Sequence, residues 1–285
     1  VFMMKSFSEG INNNELAYGA TLELPNDKWN LKTSYVEIQD NFNPALGFVN
    51  RTGIRKYTGD LRYRVRPKGN KFVRFMNWGF ESSFTTTKDN ELESANVWLR
   101  IFDIEGHMGD QIAFWTNWEH ETLFTPFEIQ PGIIIPRGDY DFFNVWGKLV
   151  TSTHRPVAAE IRSKIGGYYS GNFVDVTAKL LFRPSRHIYI TLERRVFDIN
   201  LPQGDFDIEI NRARFDINFT PTLSWSNYLQ QESETQVMTL QSQLRWMIVP
   251  GNDLTLTLNH DWAGEGGSYK SRKTDFFARL VWTHR

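Results

Sequence analysis

A chain of 285 residues without cysteine has no disulfide framework and no cysteine-based zinc site open to it, and a formal net charge of −1 with a pI near 6.7 supplies no basic field to draw it onto nucleic acid. Mean hydropathy is −0.45, and no apolar run approaches the ~20 residues of a membrane-crossing helix. These values leave open two soluble domains, one large all-β unit, or membrane strands, which need only about 9–11 residues each and alternate lipid-facing with lumen-facing side chains.

The first residues, Val1-Phe2-Met3-Met4-Lys5, carry no charged n-region, long apolar h-region or small-residue cleavage site, so the expectation is a mature or truncated fragment. Entered through Pro25-Asn26-Asp27, the residues Trp29, Leu31, Thr33 and Tyr35 oppose Asn30, Lys32 and Ser34. Tyr57, Leu61, Tyr63 and Val65 then oppose Lys56, Asp60, Arg62, Arg64 and Arg66, before the turn Pro67-Lys68-Gly69-Asn70. Val174, Val176, Ala178, Leu180 and Phe182 take one parity, with Asp175, Thr177, Lys179 and Arg183 on the other. Near Asn211 the apolar phase changes between Ile210 and Ala213, which predicts a β-bulge. Met238, Leu240, Leu244, Trp246 and Ile248 oppose Thr239, Gln241, Gln243 and Arg245, and the pattern resumes after Pro250-Gly251-Asn252 with Leu254, Leu256 and Leu258. A strand puts such sets on opposite faces.

The alternation predicts about 16 strands, at roughly 1–8, 15–25, 29–39, 54–66, 72–86, 91–105, 110–124, 139–153, 157–170, 173–183, 187–197, 205–218, 222–232, 235–248, 253–263 and 274–285. Tight Pro/Gly/Asn/Asp turns follow even-numbered strands, whereas the longest predicted connections, 40–53, 125–138, 198–204 and 264–273, follow odd-numbered ones. Short turns on one rim and long loops on the other are the habit of outer-membrane barrels, and place both termini of this chain in the periplasm. Sandwiches and propellers alternate too, but several segments of about 12–15 residues exceed the usual ~5–6 of globular strands. Trp29, Phe72, Trp225, Trp246 and Trp282 stand near segment ends, where interfacial girdles lie. The expectation is a single domain over 1–285: an all-β, antiparallel up-and-down transmembrane β-barrel, whole or incomplete, with outer-membrane lipid around it.

The stretch Asp40-Asn41-Phe42-Asn43-Pro44-Ala45-Leu46-Gly47-Phe48-Val49-Asn50-Arg51-Thr52-Gly53 resembles the N-P-x-x-G-F-V-x-R segment of the domain-of-unknown-function 5916 family. Gly166-Gly167-Tyr168-Tyr169-Ser170-Gly171, Phe182-Arg183-Pro184-Ser185, Leu201-Pro202-Gln203-Gly204-Asp205-Phe206, Trp225-Ser226-Asn227-Tyr228-Leu229-Gln230 and Arg245-Trp246 with Pro250-Gly251-Asn252-Asp253-Leu254 resemble that family's later blocks in order. The resemblance implies a bacterial envelope protein with a C-terminal outer-membrane barrel, often preceded by a periplasmic carbohydrate-binding module similar to the family-nine kind. It also implies dealings with barrel-insertion machinery and with saccharide. One departure is the ending Leu280-Val281-Trp282-Thr283-His284-Arg285, which lacks the terminal aromatic that insertion machinery reads; either a residue or two is missing or Trp282 serves.

Trp118-Glu119-His120-Glu121 invites a metal or acid–base reading, yet a strand turns Glu119 and Glu121 one way and His120 the other. His107, His154, His187, His260 and His284 show no metal-ligand spacing. The pairs Glu91 with Glu93 and Asp205 with Asp207 have the one-face spacing of some glycosidase or calcium sites, and equally of a polar lumen or rim. No triad motif, phosphate loop or dinucleotide fingerprint is present, so neither metal nor cofactor is expected. Arg62, Arg64, Arg66, Lys148, Arg162, Lys164, Asp175, Lys179, Glu193, Arg195, Arg245 and Arg279 fall on polar parities as candidate lumen residues, with Arg212 and Arg214 beside them. Two loops are too apolar for solvated tips: 40–53, with Phe42, Pro44, Gly47, Phe48 and Arg51, and 125–138, with Phe127, Ile133 and Ile134. Each is a candidate plug or ligand-binding loop, or else packs above the rim. Three functions compete: a barrel acting as channel, transporter or surface platform linked to saccharide; an envelope carbohydrate-active enzyme; and a soluble β-rich carbohydrate-binding protein.

Overall fold

The computed structural model describes residues 1–11, 13–44, 47–265 and 268–283. Ala45 and Leu46 of the loop and family segment, Gly266 and Gly267 of the last connection, and His284 and Arg285 of the ending lie outside the described residues. The first strands are β1 (Phe2–Lys5), β2 (Leu16–Leu24), β3 (Trp29–Ile38), β4 (Ile54–Val65), β5 (Val73–Thr87), β6 (Leu92–Gly106) and β7 (Gln111–Leu123). A small hairpin, β8 (Phe127–Gln130) with β9 (Ile133–Ile135), interrupts them. There follow β10 (Gly138–Val150), β11 (Val157–Tyr168), β12 (Gly171–Phe182), β13 (Ile188–Leu201), β14 (Gly204–Thr220), β15 (Leu223–Glu232), β16 (Val237–Val249), β17 (Asn252–Glu265) and β18 (Ser268–Val281).

All but β8 and β9 join one 16-stranded sheet in sequence order, antiparallel throughout. This is the expected all-β, up-and-down architecture. Among the described residues β1 pairs only with β2, and β18 only with β17, so the sheet has two edges. Tight turns suit this path: Gly251, at φ 93°, lets the chain reverse between β16 and β17 in a conformation that strains other residues.

Three local expectations are corrected. Residues 198–204 and 264–273 are not long loops: β13 and β14 run to within 202–203 of each other, and β17 and β18 to within 266–267. Their Gly, Asn and Asp residues read as loop, but Ile199 and Leu201 keep the two-residue period across Asp198 and Asn200. The bulge at Asn211 is absent; pairing with β13 runs unbroken from Leu201↔Gly204 to Ile188↔Ile217. Phe206 and Ile208 are apolar on the otherwise polar face because apolar partners, Ile199 and Phe197, sit opposite them, while Ile210 stands opposite Arg195. Register shifts fall elsewhere, between Asn77 and Gly79, Arg100 and Phe102, and Asp261 and Trp262 among others. Finally, 125–138 is not a plain connection but holds the β8–β9 hairpin.

Directly paired residues share a face of the sheet, so the register sorts the whole molecule. One face carries Arg62, Arg100, Lys148, Arg162, Lys164, Asp175, Lys179, Glu193 and Arg212. The other carries Leu22, Leu24, Leu61, Phe80, Leu99, Leu149, Ile161, Leu180, Leu192, Phe276 and Leu280, each between 39% and 65% exposed. The molecule is thus inside-out relative to a soluble sandwich. On the charged face, Lys164 of β11 places its Nζ 5.4 Å from the Trp98 ring of β6, with β7 and β10 between. Three strand spacings amount to about 14 Å on a flat sheet, so the sheet bends toward its charged face.

The apolar face is itself divided. From the rim of short turns, β12 presents Phe182, Leu180, Ala178, Val176 and Val174 in succession, about 26 Å at strand rise. Nearer the other rim the same face turns polar, with ion pairs Arg55–Glu37 at 3.0 Å and His120–Asp141 at 3.0 Å, and on β13 the polar part begins lower, where Arg194, opposite Ala178, pairs with Glu209 at 2.8 Å. The long connections 6–15, 39–53 and 124–137 all lie at this polar rim, while those of the opposite rim are short.

Candidate functional site

The concave face between β6 and β14 holds the densest chemistry. Alternate residues of a strand face the same way, so neighbouring strands present acids and bases to one another at ladder spacing. Arg195 grips Asp175 with two hydrogen bonds of 2.9 and 2.7 Å, the bidentate geometry that a guanidinium favours. Arg212 reaches Glu193 at 2.6 Å, Lys164 reaches Glu119 at 2.5 Å, and Arg162 contacts Glu160. Arg100 pairs with Glu81 at 2.8 Å, and its guanidinium lies 4.1 Å from the Trp115 ring. The groups are partly exposed, so each pair is modest alone, and the connected set fixes side-chain positions more than it adds stability.

Glu119 is the hub of this network. One oxygen, Oε1, accepts from Lys164 Nζ, from Asn144 Nδ2 at 3.1 Å and from Asn117 Nδ2. Asn117 and Asn144 are fully buried and paired across β7 and β10. Beside them Trp98, Trp115 and Trp146 form a row over β6, β7 and β10, with ring centroids 6.1 and 6.0 Å apart and edges turned to faces. A cavity of about 430 Å³ opens next to the row, lined by Trp146, Arg162, Lys164, Lys179, Arg195 and Arg212 with Glu160, Asp175 and Glu193.

The β8–β9 hairpin closes over the polar-rim end of this region. Ile135 is wholly buried against Phe173, Ile199 and Leu201, with Leu123, Tyr140, Tyr168, Phe197 and Phe206 packed around them. Every one of those partners is on the concave face by register. The hairpin therefore folds onto the charged face rather than standing above the rim. Ile133 packs over Gly204, where an added Cβ would approach its Cδ1 to 3.1 Å. Gln130 donates to Glu234, in the turn after β15, at 2.9 Å. Tyr169 at the foot of the hairpin has its hydroxyl pushed up to about 12, mainly by burial.

Of the residues singled out in the sequence, Lys148, Arg162, Lys164, Asp175, Lys179, Glu193 and Arg195 come together in this region. Arg62 and Arg64 share the face on β4, some strands away. Arg64 and Arg66 both converge on Asp27 in the turn before β3, at 3.2 and 2.8 Å. Arg245 pairs with Asp253 at 2.9 Å, and Arg279 lies on β18 opposite Thr255, both far from the Glu119 hub. Phe127 and Ile134 are each half-exposed on the hairpin, Phe127 on the face of Ile135 with which it pairs and Ile134 on the other. In the other loop, Phe42 is buried, Phe48 is 87% exposed, and Gly47 turns back on Pro44 through a 3.2 Å backbone hydrogen bond. Arg51 ties that loop to Glu93 and Glu121 at 3.5 and 3.0 Å.

Glu119 and Glu121 do face the concave side and His120 the other, as strand geometry requires. Asp205 and Asp207 lie on the outer face near the polar rim, and Glu91 is outside the strands. Sequence reading missed Glu119 as a hub and the tryptophan row altogether. Their parity was available: Trp98 and Trp115 alternate with Leu99 and Phe114, and that places them opposite the apolar face.

At the short-turn rim, Arg66 holds the Asp27 carboxyl well below the usual carboxylate range, chiefly by hydrogen bonding. Arg155 also lowers the Asp110 carboxyl, by hydrogen bonding and with help from the Ser152 amide. Compared with known proteins, the chain matches no family model and no curated protein.

Proposed function

We propose that this sheet is the wall of a bacterial outer-membrane β-barrel, with the charged concave face lining a water-filled conduit and the β8–β9 hairpin narrowing its mouth. The observation that carries this reading is the inverted distribution of side chains: a band of exposed leucine, isoleucine, valine and phenylalanine on one face, and partnered charges on the other. A soluble sheet that leaves such an area uncovered invites association, whereas a barrel in lipid requires it. The band runs about 26 Å along β12, roughly 20 Å in height at the 35–45° tilt of barrel strands, which is near the apolar belt of an outer-membrane barrel, and the polar collar with the long loops then faces outward. On this reading the short turns and the end of β18 are periplasmic. The resemblance to the 5916 family points to the same compartment.

The conduit admits small polar solutes rather than performing a reaction, since its carboxylates are engaged by arginine, lysine and asparagine. The test is to refold the chain in detergent, transfer it to vesicles of brominated phospholipid and follow tryptophan fluorescence. Trp29, Trp225 and Trp246 lie on the apolar face and are expected to be quenched, with conductance steps appearing in planar bilayers. A monomer that stays folded without detergent or lipid, with no quenching, would sink the proposal.

A further inference from the structure

We propose that the cavity beside Trp146 is a binding site for an acidic saccharide unit, a pyranose bearing one carboxylate. The inference goes beyond the membrane reading and needs only that water reach the concave face. Five cationic side chains line the cavity, Arg162, Lys164, Lys179, Arg195 and Arg212, against the three carboxylates of Glu160, Asp175 and Glu193. Asp175 and Glu193 are each drawn onto an arginine, Arg195 and Arg212, and Glu160 contacts Arg162. Lys179 lies between Glu160 and Glu193 by register, yet among the described residues it forms no ion pair with either. Lys148, directly paired with Arg162, donates to the amide oxygen of Gln111 at 2.8 Å and meets no carboxylate. One ammonium group of the lining, that of Lys179, is thus left in excess, with Lys148 beside the cavity, and such a place favours an anion.

The anion's shape follows from what else lines the cavity. Trp146 contributes an indole held by an edge-to-face contact with Trp115 at 6.0 Å, a fixed apolar surface for a flat ring. Thr177, opposite Arg195, supplies a hydroxyl, and the arginine-bound carboxylates keep lone pairs free to accept from ligand hydroxyls. A hydroxyl-rich ring with one carboxylate satisfies all three features, whereas a bare inorganic anion leaves Trp146 unused. The volume of about 430 Å³ falls in the lower part of the range for small-ligand sites, about 300–1,000 Å³, enough for one or two sugar rings.

The test uses the whole chain in detergent, with digalacturonate, its neutral methyl ester and inorganic phosphate as probes, read by calorimetry and tryptophan fluorescence. Digalacturonate is expected to bind and change the fluorescence, with the ester at least about tenfold weaker and phosphate weak and optically silent. Lys179→Gln is expected to weaken digalacturonate about tenfold and Lys179→Arg to restore it, while Trp146→Leu removes the optical change. Equal affinity for acid and ester overturns the proposal, as does phosphate binding as tightly as the sugar, or no digalacturonate binding at millimolar concentration. If Lys179→Gln does not fold, judged by circular dichroism, the acid-to-ester ratio on the unaltered chain decides alone.

Discussion

The two faces of the sheet are written in the same strands, one residue apart, and differ in what they ask of their surroundings. On β11, Ile161 points to the apolar face and is 51% exposed, while its neighbour Arg162 lines the charged cavity. The concave face satisfies itself except around Lys179: its other acids and bases largely pair, and an apolar hairpin covers the apolar residues at its upper end. Among the described residues the convex face has no such partner for its lower band, and its ion pairs lie toward the long loops, reaching down to Arg194 on β13. That boundary teaches more than average hydropathy, because it is a level and not a composition. Placing an arginine at Ile161, mid-band, is expected to cost about 2–4 kcal/mol in a bilayer. In the collar, Asn200→Arg should change stability by no more than about 0.5 kcal/mol. Urea unfolding in phospholipid vesicles compares the two; equal, small effects would mean that the band does not face lipid.

The hairpin breaks the comparison locally, since it brings apolar packing to the polar side. Ile135→Ala removes the side chain at the centre of that packing. A cost of about 2 kcal/mol is expected, the low end for such truncations, because the two short strands can detach without melting the sheet. Hydrogen exchange should rise in residues 124–137 and stay unchanged in β16 and β17, and conductance should increase. Exchange spreading over the whole sheet would show that the hairpin is a structural keystone instead.

Glu119 tests the concave face from within. Glu119→Ala leaves the Lys164 ammonium and the amide donors of two buried asparagines without their acceptor, expected to cost about 1–2 kcal/mol. Adding Lys164→Met should recover part of the loss, since the stranded ammonium is then gone. A double variant no better than the single one would place the cost in the asparagines alone, and a double-mutant cycle by denaturant unfolding reads it.

Most of this architecture was legible in the chain, for a physical reason: a strand's period of two is rigid, so faces follow from parity once strands are placed. Hence the set from Lys148 to Arg195 was found residue by residue, and the sheet's order followed from short turns. What stayed hidden depends on contacts distant in sequence. Ile133 and Ile135 form a strand only because β12 and β13 offer Phe173 and Ile199 to pack on, and without that surface the segment reads as an oily loop. The same apolar cluster explains the inward Phe206, and Ile208 lies opposite its member Phe197; with Ile210 they looked like a slip in register. Residues 198–204 misled in the other direction, since polar side chains on a strand that rises beyond the apolar band resemble a loop. Glu119 was hidden because its three donors come from β7, β10 and β11.

The smallest expected effect concerns the rim, where both partners of an ion pair stand in water. Arg155 clasps the Asp110 carboxylate through contacts of 2.5 and 2.7 Å between two turns, 107–110 and 151–156. Hydrogen bonding from Arg155, then from the Ser152 amide, lowers the Asp110 pKa in the folded state. A carboxyl lowered on folding binds protons more readily when unfolded, so its contribution is full above the ordinary carboxylate value of about 3.9 and disappears as pH falls through the lowered folded value. Stability of the native chain minus that of Asp110→Asn should therefore be positive at pH 6 and vanish toward pH 2. Because both groups are exposed, 1 M salt should shrink the difference at pH 6. The same salt should leave the bidentate Arg195–Asp175 pair of the concave wall less affected, as read by unfolding of Asp175→Asn. If salt erases both differences equally, the charged face is as open to solvent as the rim, and the division between wall and rim fails there.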